Sequence, residues 1–166
     1  ETLDAYLPLR EDLVRTGYAA YILELIDRFT YDEGETKGLF ALLVDTLRRV
    51  TAAEDVFLAV RYFELRLLDF VGFRPELFRC VNCGEDIRPL DQFFSAQRGG
   101  ALCPNCGPGV GGARPVSLDT LKYLRHLQRS SYGEAARARL SPPVQREMEA
   151  LLQHYITYLL ERGLNT

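Results

Sequence analysis

The sequence has no tryptophan, one methionine, two histidines, and two lysines beside eighteen arginines. No apolar run approaches the ~18 residues that a membrane span needs. No basic, apolar and small-residue leader opens the chain either, so neither a transmembrane helix nor a secretory signal is expected, and a cytoplasmic setting follows. Cysteine is scarce, at four residues. Without a secretory leader a reducing compartment is expected, which argues against a disulfide framework. No charge of one sign dominates: the net charge is −3 and the pI about 5.5, so the whole-surface basic footprint of many nucleic-acid binders, with a pI above ~9, is excluded. Glycine (13) and proline (8) are ordinary, with 47% hydrophobic and 26% charged residues, which excludes disordered, collagen-like and low-complexity classes. No nucleophile with a base and no glycine-rich phosphate loop stands out, and a non-enzymatic role is expected.

What is present is enough for one sizeable domain, or a domain with an insert: 166 residues, burying about two-thirds of the unfolded surface. A start at Glu1 in mid-pattern is read as a piece of something longer. Residues 1–47 hold ten acids and four bases, whereas the remaining 119 hold thirteen acids and sixteen bases. Nucleic-acid contact is therefore confined to local patches.

Leu13, Val14, Tyr18, Ile22, Leu25, Ile26 and Phe29 recur at helical spacing, predicting an amphipathic helix that begins just after Pro8. Asp32 to Glu35 breaks the pattern, and Leu39, Leu43, Leu47 and Val50 carry a second helix, antiparallel to the first across a short loop. Thr51-Ala52-Ala53-Glu54 fits a capping box. A third helix follows, apolar on nearly every face from Val56 to Val71, which only a well-covered central helix tolerates, and it ends near Gly72. Ser117 is read as the N-cap of a helix through Leu127, followed by a short helix around Glu134–Arg139. The last helix starts at Ser141-Pro142 and stops at Gly163. The aromatic residues of the first and third helices are read as core rather than as base-stacking platforms.

Between these helices lie about forty non-helical residues, 74–115, too long for an unsupported loop. They contain Cys80-Val81-Asn82-Cys83-Gly84 and Cys103-Pro104-Asn105-Cys106-Gly107, two copies of one signature separated by the 19 residues 84–102. A Cys-x-x-Cys turn aims two thiolates at one point, and two such turns complete the tetrahedron that zinc prefers. The glycine after each second cysteine suits a positive φ. Gln92-Phe93-Phe94-Ser95 and Ala101-Leu102 flank Arg98-Gly99-Gly100, which predicts a β-hairpin. The fold expected is mainly α: a helical bundle (1–73 and 116–166) with an inserted four-cysteine zinc ribbon (74–115). The expected metal is one structural zinc on Cys80, Cys83, Cys103 and Cys106, closed to water and substrate. His126 and His154 lie in helices and are not needed as ligands. A thioredoxin-like motif needs a strand–helix context that neither pair has; reactive thiols without stoichiometric metal would mark that alternative. Arg74, Arg79, Arg88, Arg98 and Arg114 collect around the ribbon as candidate phosphate contacts, interspersed with Glu76, Glu85, Asp86 and Asp91. A stand-alone zinc-ribbon nucleic-acid binder is the second reading.

The run Arg61-Tyr62-Phe63-Glu64-Leu65-Arg66-Leu67-Leu68-Asp69-Phe70-Val71-Gly72-Phe73-Arg74-Pro75-Glu76-Leu77, leading into Cys-x-x-Cys-Gly and then Phe94-Ser95 and Gly99-Gly100-Ala101-Leu102-Cys103, resembles the bacterial recombination mediator family RecO. Generic zinc ribbons lack the Phe-Glu-Leu-x-Leu-Leu-x-x-x-Gly-Phe-x-Pro run. The resemblance spans nearly the whole chain and implies the helical and zinc-finger domain without the family's N-terminal oligonucleotide-binding barrel. It implies a role in recombinational repair: annealing of strands, remodelling of single-strand-binding protein, and recombinase loading with RecR. It also implies contact with single- and double-stranded DNA, chiefly through the missing barrel, and association with the bacterial nucleoid. Arg61 matches a basic position of family members and is the residue expected to contact the acidic, apolar-tipped tail of single-strand-binding protein.

Overall fold

The computed structural model describes residues 6–30 and 37–163. The chain divides into two compact units, residues 1–71 and 72–166, and helices after Val116 belong with the ribbon in the second. The architecture is mainly helical with one small antiparallel sheet.

The first unit contains α1 (Leu7–Glu11), α2 (Leu13–Phe29), α3 (Lys37–Ala52) and α4 (Val56–Phe70). The helix predicted to run unbroken from Pro8 is cut at Asp12. Asp12 leaves helical geometry (φ −117, ψ 107) and its carboxylate accepts from Val14 N and Arg15 N, satisfying orphan amides at the new helix start. Pro8 sits in the first turn of α1, where its missing N–H costs nothing. The predicted break at Asp32–Glu35 lies outside the described residues. α3 lies against both α2 and α4.

The capping box expected at Thr51 does not form. Thr51 is still inside α3, its hydroxyl donating to Leu47 O at 2.7 Å, and Asp55 caps α4 by accepting from Leu58 N. Both residues are competent caps, and the later one wins because α3 extends through Ala52. α4 is buried on nearly every face, as its sequence predicts: Leu58, Val60, Phe63, Leu67 and Leu68 are at most 1% exposed. The chain turns out of this helix at Gly72, in the left-handed region at φ +83, which glycine adopts without strain.

The second unit opens with the ribbon. β1 (Gln92–Ser95) pairs antiparallel with β2 (Gly100–Leu102) in the register Phe93 to Leu102, Phe94 to Ala101 and Ser95 to Gly100. Beyond the predicted hairpin there is a third strand, β3 (Arg114–Val116), on the other side of β1. Three residues with a central proline give almost no sequence signal, and Pro115 is tolerated because β3 is an edge strand. α5 (Leu118–Arg129) starts at the predicted cap, Ser117 accepting from Thr120 N. α6 (Tyr132–Ala135) starts two residues earlier than predicted, because Ser131 and Glu134 form a reciprocal capping box, and ends four residues earlier. α7 spans Pro142–Gly163.

The lead-in to the ribbon is held by helix side chains. Tyr155 of α7 donates to Phe73 O at 2.9 Å, Gln128 of α5 to Pro75 O at 2.9 Å, and Arg125 to Leu77 O through Nε (2.9 Å) and a terminal nitrogen (2.6 Å). The Tyr155 ring meets Phe94 edge-on at 5.5 Å, and burial pushes its hydroxyl up to about 12. Carbonyls of a non-helical segment thus find partners inside the fold rather than in water, as buried backbone must.

Candidate metal centre

Each cysteine pair closes on its own backbone. In the first knuckle Cys80 N donates to Glu85 O at 2.8 Å and Gly84 N to Cys80 O at 2.9 Å, with Gly84 at φ +79. In the second, Cys106 N and Gly107 N both donate to Cys103 O, at 3.0 and 2.9 Å, and the chain continues into a 3-10 turn over Gly107–Gly109. The hairpin delivers one knuckle to the other, since Cys103 directly follows β2. Val81 N donates to Ala101 O at 2.9 Å, and Cys103 N to Cys80 Sγ at 3.3 Å.

The sulfurs of Cys80, Cys83, Cys103 and Cys106 all lie within 4.8 Å of one another, and Cys83 and Cys103 are 3.9 Å apart. A tetrahedral ion with metal–sulfur bonds of about 2.3 Å separates its sulfurs by about 3.8 Å. The four cysteines are therefore positioned to bind a metal ion. All four are free, and 3.9 Å is far from the bond of about 2.05 Å that a disulfide requires. Among the described residues, no second cluster of three or more His, Cys, Asp or Glu side chains is placed to share an ion. His126 is exposed and His154 half-buried, its imidazole held below the usual histidine range by burial and then by Arg114.

The sulfurs are not equivalent. Burial pushes the Cys80 thiol up, but amide hydrogen bonds from Cys83, Cys103 and Asn82 outweigh it and bring it to about 6. At Cys83 a hydrogen bond from the Glu85 amide favours the thiolate; desolvation and the neighbouring Cys80, Cys106 and Cys103 thiols override it and push the group up to about 12. Cys106 is also raised: the Asn82 side chain pulls it down, and Cys103, burial and Cys80 push it up past that. Cys80 forms a thiolate readily, and a cation is needed for Cys83 and Cys106 to ionise beside it.

Sequence reasoning missed two partners of this centre. Asn82 Nδ2 lies 3.3 Å from Cys106 Sγ, tying the first knuckle to a sulfur of the second. Arg98, in the hairpin turn, donates to Asn82 Oδ1 at 2.5 Å. The only available signal was the asparagine at the same place in both knuckles, and that repeat misleads: Asn105 makes no side-chain hydrogen bond among the described residues.

The other predicted site residues are dispersed. Arg74, Arg79, Arg88, Arg98 and Arg114 are exposed; Arg79 faces Asp86 at 3.7 Å, an exposed pairing worth little. Arg61 does not face solvent. Its side chain is 1% exposed, with Nε 3.0 Å from a Glu64 carboxylate that is itself 0% exposed. Tyr21 OH donates to the same carboxylate at 2.6 Å, and the guanidinium lies 5.2 Å from the Phe57 ring centre. Leu58, Leu65 and Leu68 of the same helix are buried with it. A contact made by Arg61 itself needs a surface that the chain does not present there.

The family model for the recombination protein O C-terminal region matches residues 10–166, through helices and cysteine knuckles alike. The chain belongs to the RecO C-terminal family. Among its relatives is a protein of Roseiflexus sp. (strain RS-1) named DNA repair protein RecO, 41% identical over 160 residues, covering 96% of this chain and 56% of the relative. A protein of the same name from Dehalococcoides mccartyi (strain BAV1) is 32% identical over 162 residues, 98% of this chain and 64% of the relative. A third, from Desulforamulus reducens, is 34% identical over 166 residues, all of this chain and 64% of the relative. The chain thus spans somewhat more than half the length of these RecO relatives. Membership of the RecO C-terminal family favours the first sequence reading over a stand-alone zinc ribbon, because the match extends well beyond the ribbon. Among the described residues no helix is long and apolar enough to cross a membrane.

Proposed function

We propose that this chain acts in recombinational DNA repair as the interaction and accessory DNA-binding domain of a RecO-type mediator, without catalysis of its own. The observation that carries the reading is the family match across residues 10–166, since it embraces both the helices and the metal centre. The metal is zinc: four soft thiolates at tetrahedral spacing suit it, and a closed four-sulfur site gives it a structural rather than a catalytic task. Cys80, Cys83, Cys103 and Cys106 hold it, and residues 74–115 behave as an insert ordered by it. Arg74, Arg79, Arg88 and Arg98 supply phosphate contacts. The partners are RecR and the acidic tail of single-strand-binding protein, in the cytoplasm and at the nucleoid.

Elemental analysis of freshly purified, reduced chain should give one zinc per chain; substantially less overturns the metal assignment. A titration with the tail peptide of a single-strand-binding protein tests the partner. Affinity no better than for a scrambled acidic peptide removes the tail from the proposal. Loss of binding in Arg61→Glu is evidence for a tail contact only if far-UV circular dichroism shows the helices intact, given the buried pairing with Glu64.

A further inference from the structure

The chain as a whole is acidic, yet residues 118–139 reverse the sign, with five lysines and arginines against two acids. On α5, Lys122, Arg125, His126 and Arg129 follow one another at helical spacing, so they share a side of the helix. Two adjoining cavities, of about 500 and 450 Å³, lie along α5 where α6 and its connection to α7 face it. Both are lined by Tyr123, His126 and Arg139, so they form one elongated cleft rather than two separate sites. Lys122 lines the first cavity and Arg137 the second, with Arg139 common to both.

The backbone of the segment that carries Arg139 is held in place. Tyr123 OH donates to Arg139 O at 2.7 Å, and Gln145 Nε2 to Leu140 O at 3.3 Å, fixing the connecting segment to α5 and α7. Two acids line the same cleft beside its three cations, Asp119 in the first cavity and Glu134 in the second. Glu134 receives Ser131 N at 2.9 Å and Ser131 Oγ at 3.0 Å in its capping box. Asp119 sits in the first turn of α5, where the helix dipole already stabilises it. Lys122, Arg137 and Arg139 make no side-chain hydrogen bond or close ion pair among the described residues, though the Ser131 hydrogen bonds, helped by Arg137, hold the Glu134 carboxyl below its usual range. Three cations in series, outnumbering the two acids along a cleft that an aromatic ring and an imidazole also line, match a flexible polyanion with stackable bases.

We infer that the cleft between α5 and the α6–α7 connection is a track for the phosphate backbone of single-stranded DNA, gripped in succession by Lys122, Arg139 and Arg137. This inference rests on the DNA-handling role proposed above and names a surface that the ribbon arginines do not include. Tyr123 and His126 offer the faces against which bases stack.

The test is fluorescence anisotropy of the chain with labelled oligo-dT over a salt series, comparing three proteins: wild type, Lys122→Gln/Arg137→Gln/Arg139→Gln, and Arg74→Gln/Arg79→Gln/Arg88→Gln, which leaves the Arg98 support of the metal centre intact. Losing three phosphate contacts lowers the slope of log K against log salt by about 2, which is about a hundredfold in affinity at 0.1 M salt if the charge contribution vanishes near 1 M. That result in the cleft variant supports the track. Undiminished binding by the cleft variant, with loss in the ribbon variant, overturns the track and leaves the wider reading standing. No binding by wild type at 50 mM salt overturns both. Oligoglutamate binding as tightly as the oligonucleotide also overturns the nucleic-acid assignment. Should circular dichroism show the triple variant unfolded, Lys122→Gln and Arg139→Gln singly should each lower the slope by about 0.7. Photo-cross-linking of bromodeoxyuridine DNA to wild type should then label the peptide carrying Tyr123, and labelling confined to residues 74–115 overturns the track.

Discussion

The two cysteine knuckles share one five-residue signature and meet different physical demands. In the first, Gly84 is open to space and needed for its backbone angle, φ +79. In the second, Gly107 has no such angle, but a side chain there would place Cβ 2.2 Å from the Phe93 ring. Asn82 reaches across to Cys106, and among the described residues Asn105 makes no counterpart contact. Cys80 is buried and Cys83 exposed within one turn. A repeat in sequence therefore records a shared chemical purpose, two sulfurs aimed at one point, without a shared environment.

The largest effect should come from removing what the knuckles have in common. Stripping the metal with a chelator should expose residues 74–115 to hydrogen exchange while α7 stays protected, read by mass spectrometry; equal protection with and without metal would show that the ribbon holds itself. Next comes acidification. Cys83 and Cys106 are raised and must surrender protons on binding, whereas Cys80 at about 6 is already ionised at neutral pH. Affinity should therefore fall as pH drops, by at least about two log units per pH unit between pH 8 and 6.5, in a competition titration.

The glycines separate the knuckles. Gly107→Ala should destabilise by about 3 kcal/mol, since the Phe93 ring packed in the sheet must move. Gly84→Ala should cost about 1–2 kcal/mol for its left-handed backbone, and Gly84→Asn less, all read by chemical denaturation of the metal-loaded chain. Equal costs at the two positions would erase the distinction. The smallest effect is at the asparagines: Asn82→Ala should weaken metal binding by about tenfold and Asn105→Ala by less than twofold.

Much of this was legible beforehand, for identifiable reasons. The metal centre was, because thiolate geometry demands a short fixed spacing that leaves a mark in the sequence. So was the all-round burial of α4, because hydrophobicity on every face has one structural outcome. The helix start at Asp12 was not, since Pro8, Asp12 and their neighbours offer competing caps of similar strength. The burial of Arg61, expected to contact a partner's tail, was not legible because it depends on Glu64 one turn on, whose carboxylate is held in turn by Tyr21 of α2.

By itself, the sequence determined the knuckles, the hairpin between them, the central helix and the family. Each depends on interactions within a few residues or on a pattern repeated along one element. Only the tertiary structure decided that Arg98 and Asn82 support a sulfur, that Arg61 is internal, that β3 completes the sheet, and that α5 and the α6–α7 connection enclose a basic cleft. Those features join residues far apart in the chain, and no local preference encodes which distant group a side chain will meet.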